Sequence, residues 1–410
     1  MRTLYSITIY LYAFAARIWA LRSRKARLLI RGQAESFRKL QTFFENNSQP
    51  VIWFHAASLG EFEQGRPVIE HFRNQHPDWK ILLTFFSPSG YEIRKHYAQA
   101  DCIVYLPFDT PKHAKNFIKL VQPQIAIFIK YEFWYNYLNA LEKQHVRTFF
   151  VSTIFRPSQY FFKWYGGWPR KQLRAVEHFF VQNQESEDLL KSIGFTNITI
   201  SGDTRFDRVS EILQTKKSFP IIETFKGDKK LLVVGSSWLA DERLICDAIS
   251  KFPNFKFLFV PHEIDEAHLQ KLERLISQPS LRYSAVETHG RASLQIDNFG
   301  VMIVDQIGFL SQLYQYADIA YIGGGFEKGG IHNILEAAVF GIPILFGPNY
   351  QKFQEAHDLI ALGAAKSIST TDEFVIETYG RVSLSELPTN VADYVNQKTG
   401  ATSIILTTIK

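Results

Sequence analysis

Two stretches of the chain combine residue types and spacing that suit chemistry. The first surrounds Glu61. The apolar run Val51-Ile52-Trp53-Phe54-His55 predicts a strand, Ala56-Ala57-Ser58-Leu59-Gly60-Glu61 a loop, and Glu63 to Phe72 a helix. A carboxylate in a Gly-Glu loop at a helix start can act as a general base once partial burial raises its pKa. A lone Glu in that place more ordinarily complements the helix dipole, and both roles stay open. The second stretch is Gly323 to Pro348. Asp318 to Ile322 predicts a buried strand, Gly323, Gly324, Gly325, Gly329 and Gly330 a loop, Ile331 to Phe340 a helix, and Ile344 to Phe346 the next strand. Backbone N–H groups gathered at a helix N-terminus suit a phosphate, and Glu336, one turn in, can accept hydrogen bonds from a ribose. The plainer alternative is that the glycines permit tight turns and Glu336 offsets the dipole.

The elements that must hold these stretches repeat along the chain. Beyond the first strand, Lys80 to Phe86, Ile103 to Leu106, Ile125 to Ile129 and Thr148 to Val151 predict four more, each followed by a polar loop and, for the most part, a helix. That alternation describes an open parallel α/β sheet. Loops after parallel strands share one rim, so Glu61, Ser89, Glu132 and Arg156 are expected to face a common cleft. Lys216 to Lys230, polar and carrying Pro220 and Gly227, reads as an interdomain linker. Past it, Leu231 to Val234, Phe255 to Val260 and Val301 to Val304 predict a second sheet that includes the glycine-rich unit. The fold expected is α/β, two Rossmann-like domains facing a central cleft, the arrangement many glycosyltransferases share. No G-x-x-x-x-G-K-[ST] loop points to an NTPase, and the glycine run is not the G-x-G-x-x-G of a dehydrogenase. No H-E-x-x-H or paired-Asp cluster stands out, so chemistry without a metal is the default.

With 410 residues, two domains are the prior, and 46% hydrophobic residues suffice for two cores. A net charge of +6 favours anionic partners. Two isolated cysteines, Cys102 and Cys246, fit a reducing compartment. Thr3 to Leu21 is apolar and aromatic apart from Arg17, and Arg22, Arg24, Lys25, Arg27 and Arg31 follow. Its uninterrupted part, about 14 residues, is shorter than the roughly 20 that span a bilayer. A snorkelling span, an interfacial helix and an ordinary core helix are the alternatives, with the basic flank favouring the cytoplasmic membrane face. Residues 1–31 thus read as a membrane-associated helix, 32–215 as the first α/β domain and 216–410 as the second.

Six short motifs in order resemble one family. They are Trp53-x-His55-Ala56-Ala57-Ser58-x-Gly60-Glu61, Leu106-Pro107-x-Asp109, Glu132-Phe133-Trp134, Gly202-x-x-Arg205-Phe206-Asp207, Asp305-x-x-Gly308 and His332-Asn333-x-x-Glu336. Together they resemble the 3-deoxy-D-manno-octulosonic acid (Kdo) transferases of lipopolysaccharide assembly, from about Ile52 to Ala364. The resemblance implies a GT-B fold and inverting transfer of Kdo from CMP-Kdo to the phosphorylated lipid A precursor, lipid IVA. It places Glu61 as general base and Glu132 and Arg205 as residues assisting the transition state. It places donor contacts at Pro261, His262, Ile307, Gly308, Phe309, Asn333, Ile334, Leu335 and Glu336. Ser58, Gly60, Ser89 and Arg156 are candidates for the acceptor side. No cofactor or metal, no nucleic-acid partner, and a place at the cytoplasmic face of the bacterial inner membrane are further expectations.

The chain departs from that family's pattern at four places. Pro261-His262-Glu263 stands for Pro-Arg-His, Gly308-Phe309 for Gly-Glu, Arg205 for Lys, and Gly330-Ile331-His332 for Gly-Gly-His. A transferase of the same fold using a UDP-sugar for a cell-envelope acceptor, and a non-catalytic two-lobed module for lipid or ligand, are the competing readings.

Overall fold

The computed structural model describes residues 1–215, 217–289, 296–382 and 387–409. The chain divides into two units, Met1–Arg208 with Lys398–Lys410, and Val209–Gln397. In the first, β1 (Val51–Ala56), β2 (Lys80–Phe85), β3 (Cys102–Tyr105), β4 (Ile125–Ile129), β5 (Arg147–Thr153), β6 (His178–Val181) and β7 (Ile198–Ile200) form one sheet. Its order is β3-β2-β1-β4-β5-β6-β7, and every neighbouring pair is parallel. Strands covered on both faces need apolar residues at every position rather than at alternate ones. β1 and β4 are buried along their whole length. Successive side chains point to opposite faces, so Trp53, Phe128 and Phe150 fill one core while Ile52, Phe54, Ile127 and Phe149 fill the other.

Two helices, α1 (Arg2–Trp19) and α2 (Arg24–Phe44), precede β1, and α3 (Leu59–Gln75) follows it. The α1 helix packs on the unit through Tyr5, Ile9, Ala13 and Ala16. The Tyr5 hydroxyl donates to Asp109 Oδ2 at 2.6 Å. Its outer face carries Leu4, Ile7, Leu11, Phe14 and Ile18, all exposed and spaced three or four residues apart. No described helix is long and apolar enough to cross a membrane, so the spanning alternative for residues 3–21 has no support.

The second unit repeats the plan. β8 (Lys230–Ser237), β9 (Phe255–Pro261), β10 (Ser280–Arg282), β11 (Val301–Ile303), β12 (Ile319–Ile322), β13 (Ile344–Phe346) and β14 (Ala365–Ser367) run in the order β10-β11-β9-β8-β12-β13-β14. In both all-parallel sheets the order in which the chain adds strands reverses at one point, between β1 and β4 in the first and between β8 and β12 in the second. Ligands of open parallel sheets bind outside the strand C-termini at such a reversal.

Three elements differ from the sequence expectation. The stretch expected as a linker contains the helix Pro220–Lys226, whose Ile221, Ile222 and Phe225 are buried; Lys216 lies outside the described residues. The last helix, Ala401–Ile409, returns to the first unit and buries Ile405, Leu406 and Ile409 in its core. Asp207 holds that return by accepting from Gly400 N and Thr402 N at 2.5 and 2.7 Å. The helix expected over Ile331–Phe340 shrinks to Leu335–Ala338. Its would-be first amides close the loop instead, Ile331 N onto Asn349 O at 3.2 Å and His332 N onto Gly323 O at 3.0 Å.

Candidate active site

Glu61 enters the first site through local chain chemistry. Ser58 is the N-cap residue of α3, and Glu61, three residues on, folds back so that its carboxylate accepts from the N-cap amide. The helix therefore begins at Leu59, and Glu61 lies in its first turn rather than in a loop. Glu61 Oε2 accepts from Ala57 N at 2.6 Å and Ser58 N at 3.2 Å. Oε1 accepts no hydrogen bond among the described residues. Capping alone would lower the pKa of the group. Burial and the neighbouring Glu132 carboxylate outweigh the two amides and the nearby Lys130, and push it from 4.5 up to about 8. Glu61 thus caps the helix with one oxygen while burial and Glu132 raise the pKa of the same carboxyl.

Glu132 follows β4, on the other side of the reversal. Its Oε2 accepts from Trp134 Nε1 at 2.7 Å and lies 3.3 Å from His55 Nε2. Lys130 holds φ +66°, a left-handed backbone unusual for a residue with a Cβ and a form of strain found at working sites. Arg156 stacks its guanidinium over the Tyr131 ring at 5.8 Å. Burial raises the Tyr131 pKa, with further influence from Arg156, Glu61, Arg205 and Asp203, so these groups share one neighbourhood. Arg205 is bound to Asp203, its Nε 2.8 Å and its Nη2 2.7 Å from Oδ2. Asp203 is in turn held by Gln64 Nε2 at 3.1 Å, and its carboxyl stays below the ordinary range because the Arg205 guanidinium and its hydrogen bonds outweigh burial. Gly60 borders open space, where an added Cβ would meet nothing within 4 Å. Ser89 is exposed near the start of α4 (Pro88–Arg94), with its hydroxyl 3.0 Å from that of Ser87, and no contact joins it to Glu61.

The second site forms at the other reversal. The glycines there serve close backbone approach: a Cβ on Gly323 would fall 2.2 Å from Ser236 O, and one on Gly325 2.5 Å from Gly347 Cα. Asp241 ties the loops together, accepting from Trp238 N and Gly324 N at 2.9 Å each. Trp238, His262 and His332 stack as an array, with His262 4.6 Å from Trp238 and 4.5 Å from His332 between ring centroids. Trp238 Nε1 donates to His332 Nε2 at 3.0 Å, which puts the His332 proton on Nδ1. Burial and His262 lower the His332 pKa to about 4, so the ring is neutral at pH 7.

The expected donor residues separate into two groups. Pro261 ends β9 and positions His262, and Asn333 Nδ2 donates to Glu336 Oε1 at 3.0 Å beside the array. Gly308, at φ +100°, and the exposed Ile307 form the turn after β11. Ile334 and Leu335, by contrast, are fully buried core side chains, and Phe309 packs edge-on against Phe219 and Tyr283. Ile334 and Leu335 can meet a ligand only through their backbone, whereas the Phe309 ring is half-buried. Sequence reasoning missed Lys130 and Trp238. Each directly follows or nearly follows a strand at a sheet reversal, which is the signal that marks them. Among the described residues no group of three or more His, Cys, Asp or Glu side chains is placed to hold a metal ion.

Residues 31–208 match the family model of 3-deoxy-D-manno-octulosonic-acid transferase (kdotransferase). The chain is 26% identical to a 3-deoxy-D-manno-octulosonic acid transferase of Chlamydophila psittaci, over 85% of this chain and 80% of that one. It is 26% identical to another from Aquifex aeolicus, over 83% and 89%. A bifunctional glycosyltransferase/methyltransferase of Fusobacterium nucleatum is 24% identical over 83% of this chain, which spans 54% of that protein. The fold matches a UDP-GlcNAc 2-epimerase of Neisseria meningitidis with a TM-score of 0.57 at 15% identity, over 88% of this chain and 99% of that one. It also matches Acinetobacter baumannii MurG with a TM-score of 0.53 at 14% identity, over 88% and 99%. The chain is thus similar to Kdo transferases over most of its length, its residues 31–208 match the Kdotransferase family model, and it shares the fold of two parallel α/β units with these solved structures.

Proposed function

We propose that the chain moves Kdo from CMP-Kdo to lipid IVA with inversion at the anomeric carbon, Glu61 acting as general base. The observation that carries this is the half-buried Glu61 carboxylate beside Glu132, one oxygen held by two amides and the other accepting no hydrogen bond among the described residues. The acceptor hydroxyl gives its proton to Glu61 Oε1 as its oxygen bonds to the anomeric carbon. The bond from that carbon to the CMP phosphate oxygen breaks in the same step, and the phosphate leaves with the electron pair. A phosphate monoester is stable as an anion and needs no proton, so no acid is required on that side. Lys130 and Arg205 supply positive charge for the Kdo carboxylate and the departing phosphate. No step runs through a metal ion.

In this reading the second unit holds the donor. His262, the Gly308 turn and the Asn333–Glu336 segment contribute as the family resemblance implies, with Trp238 and His332 added. The first unit takes the acceptor, with Ser58, Gly60, Ser89 and Arg156 on its rim. The apolar outer face of α1 lies in the headgroup region of the inner membrane's cytoplasmic leaflet, with Arg22, Arg24, Lys25, Arg27 and Arg31 on anionic lipid. Thermal unfolding with nucleotides separates this from the UDP-sugar alternative. CMP is expected to raise the melting temperature while UDP leaves it in place. Protection by UDP and none by CMP would overturn the donor assignment.

A further inference from the structure

We propose that the segment between β5 and the helix Gly167–Leu173 is a second membrane contact, Trp164 and Tyr165 entering the headgroup region of an anionic bilayer and Lys163, Lys171 and Arg174 meeting its lipid phosphates. This contact is separate from that of α1 and extends the bilayer placement given above. Trp164 is 93% exposed and Tyr165 55%, with their rings 5.5 Å apart. A whole indole left in water at the tip of a loop suits the boundary between water and lipid, where the ring is covered and its N–H stays wet.

The tip stands on a fixed base. Phe161, three residues before Trp164, is wholly buried against Phe133 and Phe155, with ring centroids 4.8 and 6.1 Å away. Gly166 N donates to Lys163 O at 2.9 Å and Arg170 Nη2 to the same carbonyl at 2.8 Å, closing the turn around Trp164 and Tyr165. A Cβ on Gly166 would fall 2.1 Å from Tyr160 O, so the turn has room for glycine alone there. Trp168 fastens the segment to α1, its ring 5.7 Å from that of Tyr5 and 4.9 Å from that of Tyr135. The two rings are thus exposed although the chain on both sides of them is held.

The surrounding charge selects the partner. From Pro157 to Val176 the chain carries Lys163, Arg170, Lys171 and Arg174 and no Asp or Glu. None of the four forms an ion pair with a carboxylate among the described residues. Arg170, Lys171 and Arg174 line one hollow with Phe195 and Asn197, again without an acidic side chain. A second copy of the chain would bring like charges together at this face, whereas anionic lipid supplies the missing negative charge and apolar depth for the rings. The same composition marks α1, an exposed apolar face followed by the basic run from Arg22 to Arg31. Two apolar features with cationic margins, joined through Tyr5 and Trp168, fit one bilayer surface.

The test uses the full chain and phosphatidylglycerol vesicles whose acyl chains carry bromine, which quenches indoles lying at the lipid boundary. The difference between wild type and Trp164→Phe isolates the Trp164 emission, which is expected to be lost on brominated vesicles and kept on unbrominated ones. Trp164→Glu with Tyr165→Glu should lower sedimentation with the vesicles about tenfold and, because both rings are exposed, leave the melting temperature in place. Lys171→Gln with Arg174→Gln should lower it about tenfold on phosphatidylglycerol and leave the weaker binding to phosphatidylcholine unchanged. Trp164 emission that brominated vesicles leave unchanged, or that shifts with protein concentration in their absence as a second copy would cause, overturns the inference. Leu11→Glu with Phe14→Glu on α1 separates the two elements. Binding lost in that variant alone keeps α1 on the membrane and overturns the second contact. Binding lost in the Trp164 and Tyr165 variant alone upholds the second contact and refutes the placement of α1.

Discussion

Replacing Glu61 by Gln should make the protein more stable while disabling it. In the unfolded chain the carboxyl ionises near 4.5, and in the fold near 8, because burial and the Glu132 carboxylate oppose its charge. Between these values the folded state holds one proton more than the unfolded state. Stability therefore falls as pH rises through this window, and the loss is complete above the folded value. At ~1.4 kcal/mol per pH, the penalty is on the order of 3 kcal/mol at pH 7 and 5 kcal/mol at pH 9. Gln can still accept from Ala57 N and Ser58 N, so this cap of α3 survives, but it never ionises. Urea unfolding of both proteins across pH measures the difference. The two should lie within about 1 kcal/mol at pH 5 and diverge as the pH rises, with Gln the more stable. Parallel curves from pH 5 to 9, or a Gln variant less stable at pH 9, would refute the burial argument. Transfer should fall by about 10²-fold or more, the usual loss on removing a general base.

Other expectations concern the same sites. Because Glu61 must be ionised to accept a proton, kcat/KM should climb through pH 7 and level off above about 8, and a profile flat from pH 6 to 9 would exclude it as the base. Trp238→Ala removes both the ring stacked on His262 and the donor to His332 Nε2, and should weaken CMP protection about tenfold, whereas Trp238→Phe keeps the stack and loses less; titration of melting temperature against CMP reads both. Leu11→Glu with Phe14→Glu places two charges on the exposed face of α1 and should cut sedimentation with anionic vesicles by about tenfold or more without altering the melting temperature. Equal sedimentation would remove α1 from the membrane surface.

Much of the architecture was legible because buried parallel strands leave continuous apolar runs. Val51–Ala56 and Ile125–Ile129 read plainly, and with them the positions of Glu61 and Glu132 at the rim. The strands His178–Val181 and Ile198–Ile200 were not read, since each is short and Ile198–Ile200 is only partly covered at the sheet edge. The helix over Ile331–Phe340 failed for a different reason. Its periodicity is genuine, but loop closure through Gly323 O and Asn349 O takes the amides a first turn would need. Ile334 and Leu335 stand in the motif as donor contacts while their side chains are core, because a motif records positions and not whether backbone or side chain faces a ligand. Lys130, Trp238 and the stacking of Trp238 with His262 and His332 escaped notice since they depend on which loops the sheet reversal brings together. The return of Ala401–Ile409 to the first unit is likewise set by long-range packing against α3, which no local pattern announces.

The most direct test of the central claim is transfer itself. CMP-Kdo generated in situ is offered with lipid IVA in detergent, and the product is weighed by mass spectrometry, with wild type and Glu61→Gln side by side. The account predicts addition of one or more Kdo units by the wild type and none, or a trace, by the Gln variant. No product from the wild type, while a control enzyme extends the same acceptor, would contradict the assignment of donor or acceptor, and equal product from Glu61→Gln would contradict the assignment of the base.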